Sequence, residues 1–256
     1  MLQPFDSQNI LILRARDHIK FFDHVEQSTI RQIQPRHLTG TDPQNGDILH
    51  KLKIEFETPK ILTAISFDII NCLRSALDHA VYDAARIMGA DPKPEYTKFP
   101  MGRTFDDVKN DIERFKAKDI PLALRPILMA TEPFSGGKNQ LYELNQLRNQ
   151  KIHRILEPCF TSVPEIGFQN GDIERAEFDS VHEWSPETKE LTFLRARSNS
   201  RYSIDIKVDV RACITGQDLF NFKPAVEVFT DIATTVDGIV NVIEHDAIRL
   251  SRTSGP

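Results

Sequence analysis

The spacing of apolar residues changes twice along this chain, and that change constrains the fold more than any other feature. Helical spacing predominates in residues 6–157, with one strand-like run at 48–57, and returns at 224–250. Between them, residues 160–215 contain short alternating runs such as KELTFLRARS and RYSIDIKVDVRACI, separated by turn clusters. These runs predict an antiparallel β-meander. We therefore expect an α+β fold, a helical bundle with the meander inserted before the C-terminal helix.

The positions of individual elements follow from the same spacing. It predicts helices over residues 6–34, 59–88, 104–118, 121–131, 138–157 and 225–250. Residues 48–57 alternate well enough for one strand, and the turn formers at 39–47 predict a loop. Because the last helix is long and amphipathic enough to return to the helical core, we predict a single domain over 1–256. Two domains divided near residue 158 are the alternative.

Composition and charge exclude several classes of protein. The 256 residues carry a formal net charge of −5, which argues against extensive binding of duplex DNA through its phosphates. Three widely spaced cysteines without a C-x-x-C pair argue against a disulfide framework and a cysteine-ligated zinc. The chain has no apolar run of membrane length, and its first residues do not resemble a secretory signal. We therefore expect a cytoplasmic protein with no membrane partner.

One pattern points to chemistry: on two predicted helices, an arginine is followed five positions later by a histidine. The first copy, Arg74 and His79, lies at the margins of a polar helix face. The other members of that face are Asn71, Ser75, Asp78, Tyr82 and Arg86. An exposed face is normally rich in glutamate and lysine, whereas these side chains suit a binding site or a buried polar seam. A solvated face that happens to lack lysine is the alternative.

The second copy consists of Arg148 and His153 on the helix predicted at 138–157. Arg148 falls near the centre of the apolar face of that helix, where an unpaired charge would be costly. We expect it to pair with an acid, and Asp78 is the best candidate. The alternative is a guanidinium that reaches solvent at the rim of the bundle. Asn145, Asn149 and His153 recur every four residues and form a polar edge beside Arg148.

These segments carry a resemblance to known proteins. RNQKIH (148–153) resembles the R-N-x3-H motif of HEPN-type proteins, and RSALDH (74–79) fits the looser R-x4-H form. HEPN proteins are small helical bundles that include many metal-independent ribonucleases of bacterial toxin and defence systems. LRSALDHAVY, TKFP and LNQLRNQKIHR also look like a widespread, functionally uncharacterised bacterial family with LRSALDH and a later KHR motif. Residues 151–154 read KIHR, so one inserted isoleucine separates this chain from the KHR pattern.

The resemblance implies an endoribonuclease in which the 2′-hydroxyl of RNA attacks the adjacent phosphate. Arg148 would stabilise the transition state, His153 would serve as general acid or base, and Asn149 would orient the site. Arg74 and His79 would complete the catalytic set, and Asp78, Asn145, Asn71, Ser75 and Tyr82 are the candidate binding residues. No metal or other cofactor is required. Because five residues turn a helix through about 140°, a working site needs two converging helices or a homodimer.

Two other functions stand beside the ribonuclease. In a non-catalytic helical interaction or scaffold protein, the polar seam would fix the register of the helices. In a metal-binding bundle, histidines from different predicted helices would converge on one ion. The candidates for such ligands are His18 or His24, His79, His153 and His245. No H-x3-H or E-x-x-H pair is present to place two ligands on one helix face, which disfavours the metal site.

Overall fold

The computed structural model describes residues 3–30, 36–53, 59–137, 139–149, 159–168, 177–185, 187–200, 202, 204–214 and 223–253. The helices in these ranges are α1 (Asp6–Ile30), α2 (Lys60–Ile87), α3 (Phe105–Arg114), α4 (Arg125–Met129), α5 (Asn139–Asn149) and α6 (Ala225–Thr253). The strands are β1 (Arg36–Thr41), β2 (Ile48–Lys53), β3 (Cys159–Phe168), β4 (Phe178–Ser185), β5 (Glu190–Ala196), β6 (Ile204–Ile214) and β7 (Lys223–Pro224). The α+β class is confirmed.

Most helices lie where the apolar spacing predicts them, and three local assignments are wrong. The helix predicted at 104–118 ends at Arg114, and residues 115–118 are not helical. Residues 121–131 form a 3-10 turn, Leu122–Leu124, followed by the short helix α4 rather than one helix. The loop predicted at 39–47 begins too early, because β1 extends through Thr41 and pairs with β2 in antiparallel register. Strand pairing here overrides the local preference of turn-forming residues. The predicted ends at 31–34, 54–57 and 150–157 lie outside the described residues.

The strands are antiparallel, as predicted, but they are distributed between two sheets. One sheet has the order β1-β2-β5-β4, and the other has the order β3-β6-β7. A meander would pair β3 with β4, whereas β3 pairs with β6 and β5 pairs with β2, a strand that precedes α2. The meander is therefore corrected to a β4–β5 hairpin attached to an N-terminal hairpin, and a separate β3–β6 ribbon.

The main hydrophobic core is formed by the helices. α2 packs against α1, α5 and α6, and Ala212 and Ile214 of β6 join the same core. Phe22 of α1 meets Phe229 of α6 edge to face, with ring centroids 5.6 Å apart. The return of the last helix to the bundle is thus confirmed. No helix in the described ranges is long and apolar enough to cross a membrane.

The four-stranded sheet has a small apolar cluster of its own and a chain of hydrogen-bonded aromatic groups. The His37 and His50 rings stack, with His37 Nε2 and His50 Nδ1 2.9 Å apart, and His50 Nε2 lies 2.5 Å from the Tyr202 hydroxyl. Burial, and next to it the charge of His37, lowers the pKa of His50 to about 4. Burial also lowers the pKa of His37 and raises that of Tyr202.

Candidate functional site

The polar face of α2 lies at the centre of the candidate site, and its opposite face fixes its orientation. The residues predicted to form the apolar face are fully buried in the helical core; they are Ile69, Leu73, Ala76, Leu77, Ala80 and Ala84. When one face of a helix is buried in the core, the opposite face either is exposed to solvent or is covered by a loop. In this protein the segment after α2, including residues 94–99, covers part of that polar face.

Asp78 is the most connected side chain of the site. Its carboxylate accepts a hydrogen bond from the guanidinium of Arg74, one turn earlier, and another from the backbone N–H of Phe99 at 2.9 Å. Arg74 also donates to the carbonyl oxygen of Phe99 at 2.9 Å. The three groups form a closed network that fixes the loop to α2. Hydrogen bonds to charged groups are the stronger ones in proteins.

The burial of Arg74 decides between two predicted environments. The sequence places it at the margin of a polar face that suits a binding site or a buried seam, and with only 4% of its side chain exposed it belongs to a buried seam rather than to an open site. Burial lowers the pKa of Arg74; the carboxylate of Asp78 acts in the opposite direction, and the charge of Arg148 adds to the lowering. Since Arg74 is enclosed by Asp78 and Phe99, it positions Asp78 and does not face solvent.

The predicted pairing of Arg148 with Asp78 is confirmed. Arg148 Nη1 lies 3.7 Å from Asp78 Oδ2, which brings α5 and α2 together at the site. The Arg148 side chain is 34% exposed, so the guanidinium also reaches solvent at the rim, as in the alternative. Arg148 lies one turn after the buried Leu144 on the same face of α5, near the end of the described helix. The second arginine therefore remains accessible to an anion, whereas the first does not.

A cleft of about 420 Å³ opens beside Asp78. Its lining includes Ser7, Ser75, Asp78, His79, Tyr82 and Lys98, together with Asp83, Pro94 and Thr97. Four of the predicted site residues of α2 thus share one cavity. The volume is within the range typical of small-molecule sites. Asn71 and Asn145 are half-buried and are not among these lining residues; the Asn71 amide donates to the carbonyl of Phe67 in its own helix.

His79 is an exposed side chain in this cleft, and its neighbours define its tautomer. Its Nδ1 lies 2.9 Å from Ser7 Oγ, and the Ser7 hydroxyl donates its proton to Gln8 Oε1. Ser7 therefore accepts from His79 Nδ1–H, which leaves Nε2 unprotonated in the neutral ring. Within the described part of the chain, Nε2 has no hydrogen-bond partner. An imidazole with an oriented Nδ1 and an open Nε2 can act as a general base.

His153 and the side chain of Asn149 lie outside the described residues, so their roles stay predictions. Across the described residues, no group of three or more histidine, cysteine, aspartate or glutamate side chains is arranged to hold a metal ion. His18 instead accepts a hydrogen bond from Arg14, and His245 lies beside Asp246.

Several lining residues of the cleft were not predicted from the sequence. Ser7, Asp83, Thr97 and Lys98 come from the start of α1, from α2 and from the loop after it. Thr97 and Lys98 belong to the TKFP segment that carries part of the resemblance, which was the available signal. Comparison with known proteins adds no relative: no family model, curated protein or solved structure matches the chain. The resemblance to HEPN proteins therefore rests on the motifs alone.

Proposed function

We propose that this protein is a metal-independent, HEPN-like endoribonuclease. One observation carries the proposal: α2, which contains Arg74 and His79, packs against α5, and Arg148 of α5 meets Asp78 of α2 at the edge of the cleft that contains His79. Convergence of two helices is what the spacing of the motif demands, because arginine and histidine of one copy do not share a face.

The described side chains support distinct roles. Arg148 is exposed enough to bind phosphate oxygens, and a guanidinium matches them bidentately. His79 Nε2, which has no hydrogen-bond partner among the described residues, would accept the proton of the 2′-hydroxyl as its oxygen attacks phosphorus. The bond from phosphorus to the 5′-oxygen then breaks, and that oxygen takes a proton from a second acid, the role proposed for His153. Arg74 serves as a positioning residue, because it holds Asp78 without facing the cleft.

The test is cleavage of mixed RNA by the full chain in the presence of EDTA. We expect Arg148→Ala, His79→Ala and His153→Ala each to reduce the rate by about 10²-fold or more, the typical contribution of a catalytic acid or base. His245→Ala and Arg252→Ala are the matched controls, since both residues are exposed on α6 far along the chain from either motif. Cleavage that persists in all three variants, or that requires a divalent ion, contradicts the proposal.

A non-catalytic interaction protein is the second candidate, favoured by the burial of Arg74. A guanidinium that is 4% exposed and bonded to Asp78 and Phe99 fixes the covering loop on α2 without any ligand. In that case the polar network specifies structure alone. The two candidates differ in one measurement: an interaction protein shows no cleavage under any buffer condition, and Arg148→Ala alters only its stability or partner binding.

A further inference from the structure

The cleft beside His79 contains a buried hydroxyl group without a hydrogen-bond partner. Thr97 is 2% exposed, and its Oγ1 makes no hydrogen bond to any described residue. Its backbone is fixed, because the Thr97 N–H donates to the carbonyl of Lys93 at 2.8 Å. Buried hydroxyl groups in proteins are nearly always bonded, and an exception calls for an explanation. A ligand in the cleft would supply the partner once rotation of the Thr97 side chain turns the buried hydroxyl toward it.

Asp83 adds a second polar group to the same cleft, a half-buried carboxylate with one oxygen open to solvent. Its Oδ2 accepts a hydrogen bond from the backbone N–H of Phe5 at 3.0 Å, which fixes the carboxylate. In the ranges that the structure describes, Oδ1 has no hydrogen-bond donor and the carboxylate has no cationic partner. An ionised carboxylate only accepts hydrogen bonds. The ligand that satisfies it must present N–H or O–H groups.

The remaining lining favours a flat ligand with polar edges. Apolar surface predominates in the cleft, and its lining includes Tyr82 and Pro94, two residues with rigid rings. Protein sites that bind single-stranded RNA commonly combine such faces with hydrogen bonds to the edges of an unstacked base. A volume of about 420 Å³ accommodates one base with its sugar.

We propose that this cleft binds a guanine base of the RNA substrate, an inference that rests on the proposed function. Guanine presents two adjacent donors on its Watson–Crick edge, the N1–H and the exocyclic amino group, and one carboxylate can accept from both. Adenine and cytosine present one amino donor next to an acceptor, and uracil presents a single N–H. Asp83 therefore selects guanine, and the Thr97 hydroxyl gains a partner from the same base.

The test is binding of 5′-GMP, 5′-AMP, 5′-CMP and 5′-UMP to the full chain by isothermal titration calorimetry. We expect GMP to bind at least about tenfold more tightly than the other three, and Thr97→Val or Asp83→Asn to weaken GMP binding about tenfold or more, the effect of one lost hydrogen bond. Thr97→Val should melt no lower than the parent, because no bond within the protein is lost. Asp83→Asn keeps an acceptor for the Phe5 N–H.

The matched control is Thr131→Val. Thr131 is also buried, but its hydroxyl donates to the carbonyl of Leu128 at 2.7 Å and lies outside this cleft. That variant should melt at a lower temperature and bind GMP as the parent does. Equal affinity for the four nucleotides, no binding of GMP, or unchanged GMP affinity in Thr97→Val overturns the guanine site.

The nucleotide-binding and RNA-cleavage experiments together distinguish a wrong guanine site from a wrong nuclease activity. If the chain binds GMP selectively and cleaves no RNA, the guanine site stands and the proposed activity is wrong. If the chain cleaves RNA without preference for guanine and binds no GMP, the activity stands and the guanine site is wrong.

Discussion

Asp78 joins three separate segments of the chain through one carboxylate. It accepts hydrogen bonds from Arg74 in its own helix and from the Phe99 backbone in the following loop, and it pairs with Arg148 of α5. The two arginines depend on it unequally. Arg74 is 4% exposed and Arg148 is 34% exposed, so water can replace Asp78 at the second guanidinium but not at the first.

Removal of this carboxylate should therefore be costly. We expect Asp78→Ala to lower the free energy of unfolding by about 3–5 kcal/mol, because the buried charge of Arg74 loses its carboxylate partner and keeps only the Phe99 carbonyl. Arg148→Ala should lower it by about 1 kcal/mol or less, as is usual for a partly exposed pair. Urea unfolding of both variants at neutral pH measures the difference. Equal losses in the two variants would show that Arg74 does not depend on Asp78.

For individual residues, the sequence predicts ion pairing better than it predicts burial. The position of Arg148 on an apolar helix face requires an acidic partner, and the polar face of α2 contains a suitable one in Asp78. A buried seam at Arg74 was one of the alternatives from the sequence, but the sequence could not decide between them, because a helical wheel shows which way a side chain points but not which loop covers it. The covering group is the backbone of Phe99, 25 residues farther along the chain.

For whole elements, the local sequence predicts the strands but not how they pair into two sheets. Alternation of apolar and polar residues identifies β4, β5 and β6 as strands but carries no information on which strand each one pairs with. β5 pairs with β2, although several helices lie between the two strands in sequence. The ion pair between Lys51 and Glu190 joins residues 139 positions apart. Consecutive strands are the natural expectation when only local spacing is known.

The four-stranded sheet should lose stability in mild acid because of His50. Burial lowers the pKa of His50 to about 4 from 6.5, so between these values the unfolded chain binds a proton that the folded chain does not. The free energy of unfolding should therefore fall by roughly 3 kcal/mol as pH falls through this window. His37 contributes in the same direction.

Urea unfolding between pH 7 and pH 4 provides the measurement, with His50→Gln as the comparison. The variant should show a shallower dependence on pH, since glutamine does not titrate. His245→Gln is the matched control, because His245 is 77% exposed. Identical pH dependence in the parent and in His50→Gln would contradict the assignment.

For the molecule as a whole, the last helix, α6, packs against the first helix, α1. Phe229 of α6 is 1% exposed and contacts Phe22 of α1, and α6 also packs on α2 and on β6. The main core therefore contains residues from both the first and the last helix of the described chain, whereas the four-stranded sheet keeps an apolar cluster of its own. This arrangement agrees with a single domain, which stays a prediction from the sequence.

Cooperative unfolding tests the single domain. The helices dominate the far-ultraviolet circular dichroism, and the only tryptophan of the sequence, Trp184, belongs to β4. We expect both signals to change at the same urea concentration. Phe229→Ala should shift both together, with a loss of about 3–5 kcal/mol from the core. If the variant shifts only the helical signal, the chain consists of two domains.

The late position of β5 has a consequence for synthesis of the protein on the ribosome. β2 leaves the ribosome early, but the strand that covers its free edge is translated well over a hundred residues later, as the Lys51–Glu190 pair shows. At the usual speed of translation the delay is roughly ten seconds. During that time the nascent chain carries an open strand edge, the kind of surface on which chains associate. The nascent chain should therefore depend on chaperones most strongly before residue 190 has been synthesised.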